Sequence, residues 1–285
     1  MTDTNTTTET PKSVLVTGAS SGIGYHCAKA LQRDGYRVIA ACRRIADVSR
    51  LQAEGLSCIQ LDLRHSDSVQ QAAQQALELA QGRLYGLFNN AGYGQPGAVE
   101  DLSRDTLRKQ FETNLFGLCE LTNALLPSMF RQGRGRIIQN SSVLGFAAMP
   151  FRGAYNASKF ALEGLTDTLR LELEGSGVHV SLIEPGPITS AFRRNALAAL
   201  KANVNASTSR LRDSYRQAYE RLERSGPSSR FTLGPEAVYK PLRHALESPR
   251  PKPRYYVTKP TYAMGFAKRF LSTRAMDRIL RRAGG

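Results

Sequence analysis

Residues 13–35 read "SVLVTGASSGIGYHCAKALQRDG". "SVLVTG" (13–18) is an apolar run closed by glycine, the pattern of a buried strand. "GIGYHCAKALQRDG" (22–35) carries apolar residues at helical spacing and stops at Gly35. A strand that feeds a glycine-rich turn and then a helix N-terminus makes a phosphate cradle. Gly18 permits the turn, Gly22 lets backbone approach a pyrophosphate, and Gly24 allows close helix–strand packing. Ser20, Ser21 and Ile23 complete the turn. The first helical turn adds unpaired N–H groups and the positive end of the helix dipole.

The same unit repeats downstream. "RVIAAC" (37–42), "SCIQLDL" (57–63), "LYGLFNNAG" (84–92), "GRIIQNSS" (135–142), "HVSLIEPG" (179–186) and "RYYVT" (254–258) are strand-like, with helical stretches between them. Alternating strands and helices predict an α/β fold, a doubly wound parallel seven-stranded Rossmann sheet with helices on both faces. Ligands in such sheets bind beyond the strand carboxyl ends. Gly18, Asp62, Asn89, Ser142 and Gly186 all sit there, so residues far apart in sequence are expected to converge.

The expected organisation is a disordered polar tail over 1–12, a single Rossmann-type domain over 13–262 and a basic amphipathic segment over 263–285. Within the domain, residues 187–232 form a long helical insertion after the sixth strand. A connection of that length reads as a substrate lid.

Composition narrows the function classes. The chain has 285 residues, 41% hydrophobic and 22% charged, as a globular protein does. Cys27, Cys42, Cys58 and Cys119 have no CxxC or disulfide-framework spacing, and the four histidines are scattered, so neither a metal site nor a disulfide framework is expected. No run reaches the ~18 apolar residues of a membrane span, and the N-terminus lacks a signal-peptide core. The net charge is +15, with 12 Lys/Arg against two acids between Lys240 and Arg282. That charge lies on a tail without a nucleic-acid module, so no nucleic-acid partner is expected. The location expected is cytoplasmic.

The end of the second strand selects the nucleotide. An acid there would bind the ribose 2′-hydroxyl of NAD. "AACRR" instead offers Arg43 and Arg44, which suit a 2′-phosphate. The cofactor expected is NADP(H), with Arg43 the main contact and Arg44 secondary. Asp62 is placed to accept from the adenine amino group, with Leu63 beside it. In "NNAG", Asn90, Ala91 and Gly92 bring compact backbone to the middle of the cofactor.

"AYNASKF" (154–160) puts Tyr155 and Lys159 one helical turn apart. A free tyrosine, with a pKa of about 10, is a poor acid at neutral pH, and a nearby ammonium favours its phenolate. Ser142 lies 13 residues before Tyr155, with a hydroxyl suited to a substrate oxygen, and Asn114 stands on the preceding helix.

"TGASSGIG", "NNAG", Asn114, Ser142, "YNASK" and "EPGP" together resemble the short-chain dehydrogenase/reductase family, from about Ser13 to Ile188. "PGPITSAF", "RFTLGPEAV" (230–238) and the basic C-terminus resemble a narrower group, bacterial NADP-dependent oxidoreductases similar to retinol and 17β-hydroxysteroid dehydrogenases. The resemblance implies that Tyr155 gives a proton to a carbonyl oxygen or takes it from an alcohol. It implies that Lys159 holds the nicotinamide ribose, Ser142 polarises the carbonyl, and Asn114 holds a water in a proton relay. It further implies that Pro185, Gly186 and Ile188 line the nicotinamide. Where the family often has a threonine for the carboxamide, this chain has Ser190 preceded by Thr189, and either hydroxyl is available.

Tyr93, Phe146, Met149, Phe151 and Phe192 flank the expected site, with Ser142 at its polar end. Their apolar character suits a small hydrophobic carbonyl compound or its alcohol, such as an aldehyde, retinal or a steroid. The rival reading is a non-catalytic NADP(H)-binding sensor or scaffold, which would not need Ser142, Tyr155 and Lys159 together. The C-terminal segment, with Phe266, Phe270, Met276, Ile279 and Leu280 among basic residues, reads first as packing on the enzyme or on a partner copy in a homo-oligomer. The other reading is peripheral contact with the inner face of the membrane.

Overall fold

Seven parallel strands form one sheet: β1 (Ser13–Thr17), β2 (Arg37–Cys42), β3 (Ser57–Gln60), β4 (Leu84–Asn89), β5 (Gly135–Asn140), β6 (Val178–Pro185) and β7 (Arg254–Val257). Their spatial order is β3-β2-β1-β4-β5-β6-β7. The chain walks outward from β1 to β3, then returns to place β4 on the other side of β1. That reversal opens a crevice at the carboxyl ends of β1 and β4. The computed structural model describes residues 11–227 and 229–284. Most of the expected N-terminal tail (residues 1–10) lies outside them.

The helices are α1 (Gly22–Arg33), α2 (Ile45–Ala53), α3 (Ser66–Leu79), α4 (Arg104–Phe111), α5 (Gly117–Arg131), α6 (Gly153–Glu172), α7 (Phe192–Asn203), α8 (Arg212–Glu223), α9 (Glu236–Glu247), α10 (Lys259–Phe270) and α11 (Thr273–Gly284). Successive strand side chains face opposite ways. Val14 and Val16 pack with Leu31 of α1 and Leu242 of α9. Leu15, between them, packs with Val69 of α3 and Leu121 of α5 on the other face. Both faces are covered, which is why the strands read as continuous apolar runs.

Two strands end earlier than the apolar pattern suggests, because their last polar groups bond elsewhere. Asn90 and Ala91 give their N–H groups to the Thr17 hydroxyl, at 3.0 and 2.9 Å, not to a ladder. The Asp62 carboxylate accepts from the backbone N–H of Arg64 at 3.1 Å and turns the chain after β3.

The insertion 187–232 is docked on the body. Leu200 of α7, Val204 just after it and Tyr215 of α8 share a cluster with Ala98, Leu102 and Ala154. The Tyr215 hydroxyl accepts from the Ala98 N–H at 2.8 Å and donates to Asp101 at 2.7 Å. Its stem is tied down as Ile188 pairs with Leu233. At the other end of the chain, α10 runs straight through the boundary expected at residue 262. Met276 and Leu280 of α11 are buried against Ala147, with Phe146, Met149 and Met264 packed on them. No helix among the described residues is long and apolar enough to cross a membrane.

A charge cluster, buried at Glu163 and Glu184 and partly exposed at Arg254 and Asp167, joins α6, β6 and β7. Arg254 reaches Asp167 at 2.6 Å, Glu163 at 3.3 Å and Glu184 at 3.2 Å. Glu184 is fully buried, and neither of its oxygens accepts a well-aligned hydrogen bond. Burial, and then the neighbouring Glu163, raise its carboxyl above the usual range. A carboxyl raised in the folded state keeps a proton that the unfolded chain has lost, so its contribution is greatest at acid pH and fades as pH rises. Arg254→Met leaves Glu163 and Glu184 without their cation and, because Arg254 is itself a third exposed, should cost about 1–3 kcal/mol at neutral pH. The loss should be larger at alkaline than at mildly acid pH, and Glu184→Gln should flatten that slope. Chemical denaturation across pH reads both; a loss independent of pH, or a slope that survives Glu184→Gln, contradicts this account.

Candidate active site

The glycine-rich turn is shaped by backbone that side chains would obstruct. Gly18 has φ +66°, and a Cβ there would stand 2.8 Å from the Ala91 Cα. A Cβ on Gly24 would stand 2.3 Å from the Gly18 carbonyl oxygen. Ser21 precedes α1 without using its side chain as a cap, and the first turn holds no acid. The N-terminus of α1 therefore keeps donors and positive dipole for an anion. Ser20 gives its carbonyl to Arg50 at 2.8 Å, and Ile23 packs into the core beneath the turn.

Arg43 and Arg44, both exposed, follow β2. Arg44 is held by Asp47 at 2.8 Å, whereas no ion pair among the described residues engages Arg43. Asp62 is bound by Arg64 at 2.5 Å. That guanidinium holds its carboxyl below the usual range, as an ionised acceptor. Leu63 is buried beside it.

Tyr155 and Lys159 lie on the first turns of α6, both buried at 9% and 4% exposure. The Lys159 Nζ is 5.9 Å from the centre of the Tyr155 ring and donates to the Asn140 main-chain oxygen at 2.7 Å. Burial pushes the Tyr155 phenol up to about 12, while a hydrogen bond with Ser142 pulls the other way. Burial draws the Lys159 ammonium down to about 8, opposed by the charge of Glu163 one turn on. Ser142 also accepts from the Leu144 N–H at 3.1 Å, which fixes its hydroxyl at the end of β5.

Asn114 sits in a single wide π turn, Glu112–Phe116, between α4 and α5. Such insertions often mark functional sites. Its side chain accepts from the Tyr93 N–H at 3.1 Å and donates to the Tyr93 oxygen at 2.9 Å and to Ser158 at 3.2 Å. Ser158 in turn donates to the Tyr155 carbonyl at 2.8 Å. Gly92 lies against this group: a Cβ there would be 3.2 Å from Asn114 Oδ1 and 4.0 Å from Lys159 Nζ.

Beyond β6, the Gly186 N–H bonds the Val257 carbonyl at 3.0 Å, following Pro185 at the strand end. Thr189 donates its N–H to Leu233 at 2.9 Å. Ser190 is the residue that meets the glycine-rich turn, since a Cβ on Gly22 would stand 2.9 Å from its own Cβ. Its hydroxyl accepts from the Phe192 N–H at 3.3 Å.

The apolar surroundings divide in two. The Phe192 ring lies edge-on to Tyr155, with centroids 5.3 Å apart. Phe146 and Met149 pack with Tyr155, joined by Met264 of α10. Phe151 belongs elsewhere: its ring meets Tyr215 at 5.0 Å, in the cluster that seats the insertion. Sequence reasoning missed Met264, because residue 263 looked like the start of a separate segment. It also missed Thr17, Asn140 and Ser158, although each lies within a quoted stretch.

Thr17 and Asn140 complete a continuous polar chain. Asn90 donates to the Thr17 carbonyl at 2.9 Å, Asn140 donates to Asn90 Oδ1 at 2.9 Å, and the Asn140 carbonyl holds Lys159. The glycine-rich turn and α6 are thereby fixed relative to each other. The glycine cradle, the uncapped N-terminus of α1 and the acid-free end of β2 all fit a nicotinamide dinucleotide.

The comparisons agree with this geometry. The family model described as short chain dehydrogenase matches residues 12–201. The Escherichia coli (strain K12) protein named "Uncharacterized oxidoreductase YbbO" is 46% identical over 269 residues, covering 94% of each chain. Human "17-beta-hydroxysteroid dehydrogenase type 1" is 36% identical over 86% of this chain and 77% of its own. The crystal structure of a short chain dehydrogenase/reductase from Burkholderia phymatum in complex with NAD superposes with a TM-score of 0.76, at 28% identity and 95% coverage of both chains. With the sheet order, the phosphate turn and the grouped Ser142, Tyr155 and Lys159, these matches place the chain in the short-chain dehydrogenase/reductase family, as an oxidoreductase with a nicotinamide-binding Rossmann fold.

Proposed function

We propose that the protein is an NADP(H)-dependent oxidoreductase that interconverts a hydrophobic aldehyde or ketone and its alcohol, working mainly as a carbonyl reductase. The observation that carries this reading is the buried Tyr155 phenol, with the Ser142 hydroxyl on it and the Lys159 ammonium one helical turn behind. NADPH, when bound, supplies the hydride.

The residues of the chain handle the proton. Ser142 holds the carbonyl oxygen beside Tyr155. The phenol, raised by burial, is fully protonated at neutral pH and has a proton to give as negative charge grows on that oxygen. The phenolate left behind faces the Lys159 cation. At about 6 Å and an effective dielectric of about 20, that attraction is worth roughly 3 kcal/mol. It is comparable to the burial penalty on the phenolate, so the cation offsets that penalty as the proton leaves. A water in the relay would sit beside Asn114, whose side-chain N–H groups are already given to Tyr93 and Ser158.

Arg43 is the main contact for the 2′-phosphate, since Arg44 is already paired with Asp47. Gly18, Gly22 and the start of α1 take the pyrophosphate, Asp62 the adenine, Lys159 the nicotinamide ribose, and Ser190 the carboxamide. Phe146, Met149, Met264 and Phe192 provide an apolar pocket around the reacting carbonyl, in keeping with a relative named for hydroxysteroids. Phe192 belongs to α7, so the insertion acts as the lid over Tyr155.

Carbonyl-dependent NADPH oxidation, screened across aliphatic, aromatic, retinoid and steroid carbonyls, tests the reaction. Tyr155→Phe serves as the blank and should be slower by about 10²–10⁴, the usual share of general acid catalysis. A wild-type rate equal to the blank on every class contradicts the enzyme reading. Arg43→Ala should raise the KM for NADPH about tenfold or more while leaving that for NADH nearly unchanged, matching loss of a charge-assisted contact. Equal effects on both would remove the NADP(H) assignment.

A further inference from the structure

Helix α10 has two unlike faces. Its inner side is fixed: Thr261 is fully buried, and Met264 and Ala267 pack against the cluster of Ala147, Met276 and Leu280. Its outer side carries Tyr262, Phe266 and Phe270, spaced by four residues and so on one stripe. They are 61%, 70% and 66% exposed, and the two phenylalanine rings meet in a tilted contact with centroids 4.7 Å apart. Leu271 extends the stripe at 41% exposure. A contiguous aromatic row of this kind marks an interaction surface.

The charge beside it selects the partner. From Lys259 to Arg282 there are seven basic residues (Lys259, Lys268, Arg269, Arg274, Arg278, Arg281 and Arg282) against one acid, Asp277. In α11 the apolar positions Met276 and Leu280 are used up inside the protein, while its arginines face outward. A second copy of this chain would bring seven more cations to the same face, so self-association through it is electrostatically opposed. An anionic lipid surface is complementary in both respects, with aromatic rings for the acyl boundary and cations for the headgroups.

We propose that α10 and α11 form a docking face for anionic membranes, with Tyr262, Phe266 and Phe270 entering the interface and the flanking arginines and lysines holding headgroup phosphates. The face and the site are linked through the same helix. Met264, on the inner side of the same helix, touches the cluster that contains Tyr155. A lipophilic molecule leaving the bilayer would thus meet the protein at the edge of the Tyr155 pocket.

The test is co-sedimentation of the full-length protein with vesicles of phosphatidylcholine alone and of phosphatidylcholine mixed with phosphatidylglycerol, with oligomeric state followed by light scattering. The protein should bind the anionic vesicles at least tenfold more tightly, and added salt should weaken the binding. The double variant Phe266→Ser, Phe270→Ser should lose at least tenfold in vesicle affinity with unchanged melting temperature and NADPH affinity, since both rings are exposed. Charge reversal by Arg278→Glu and Arg281→Glu should abolish the preference for anionic lipid. Failure to bind either vesicle, or equal binding to both, overturns the proposal. So does a dimer in solution that the Phe266→Ser, Phe270→Ser variant dissociates, because the stripe would then be a self-interface. None of these outcomes bears on the chemistry at Tyr155, which the carbonyl screen tests separately.

Discussion

The Lys159 ammonium, buried to 4% exposure and bonded to the Asn140 carbonyl at 2.7 Å, is the contact on which the rest of the site depends. An ammonium out of water is costly unless something holds it. Here one main-chain oxygen at the end of β5 does so directly, and the carboxylate of Glu163 helps from one helical turn away. That arrangement requires α6 to cross the end of β5 at close range. It also requires β5 to stop at Asn140, so that the carbonyl is free of the ladder. Ser142, two residues further, is carried to the phenol of Tyr155 by the same strand end.

The requirement propagates to the cofactor side. Asn140 holds Asn90, and Asn90 holds Thr17, whose hydroxyl takes two N–H groups from the end of β4. Gly18 then turns the chain into α1. The glycine-rich turn and the start of α6, far apart in sequence, are joined by short hydrogen bonds, part-buried at Thr17 and Asn90 and buried at Lys159. Such bonds are strong in a low-dielectric setting and penalise any member left unpaired. The charge cluster of Arg254, Glu163 and Glu184 backs the same helix from the far side, so α6 is anchored at both flanks.

The sheet and the chemical groups were legible because they rest on local patterns. Apolar runs punctuated by glycine gave seven strands, and the spacing of Tyr155 and Lys159 on one helix needed no tertiary information. What escaped was set by contacts between distant segments. Phe151 looks like a pocket residue, yet Tyr215, 64 positions later, takes its ring. Asn140 looks like a polar strand end, and only the crossing of α6 gives its carbonyl a role. Met264 seemed to belong to a separate tail, while α10 folds it toward Tyr155. The C-terminal apolar residues looked equivalent in sequence. Helix rotation sends Met276 and Leu280 inward and leaves Phe266 and Phe270 outside.

The central claim is that a buried, charged Lys159 makes Tyr155 a usable acid. Burial draws the Lys159 ammonium down to about 8 and pushes the Tyr155 phenol up to about 12. The pH dependence of kcat/KM for NADPH at saturating carbonyl substrate reports ionisations of the free enzyme. The profile should be level at neutral pH and fall as pH rises through about 8, where the ammonium becomes neutral. A profile that stays level until the phenol itself ionises would contradict the account.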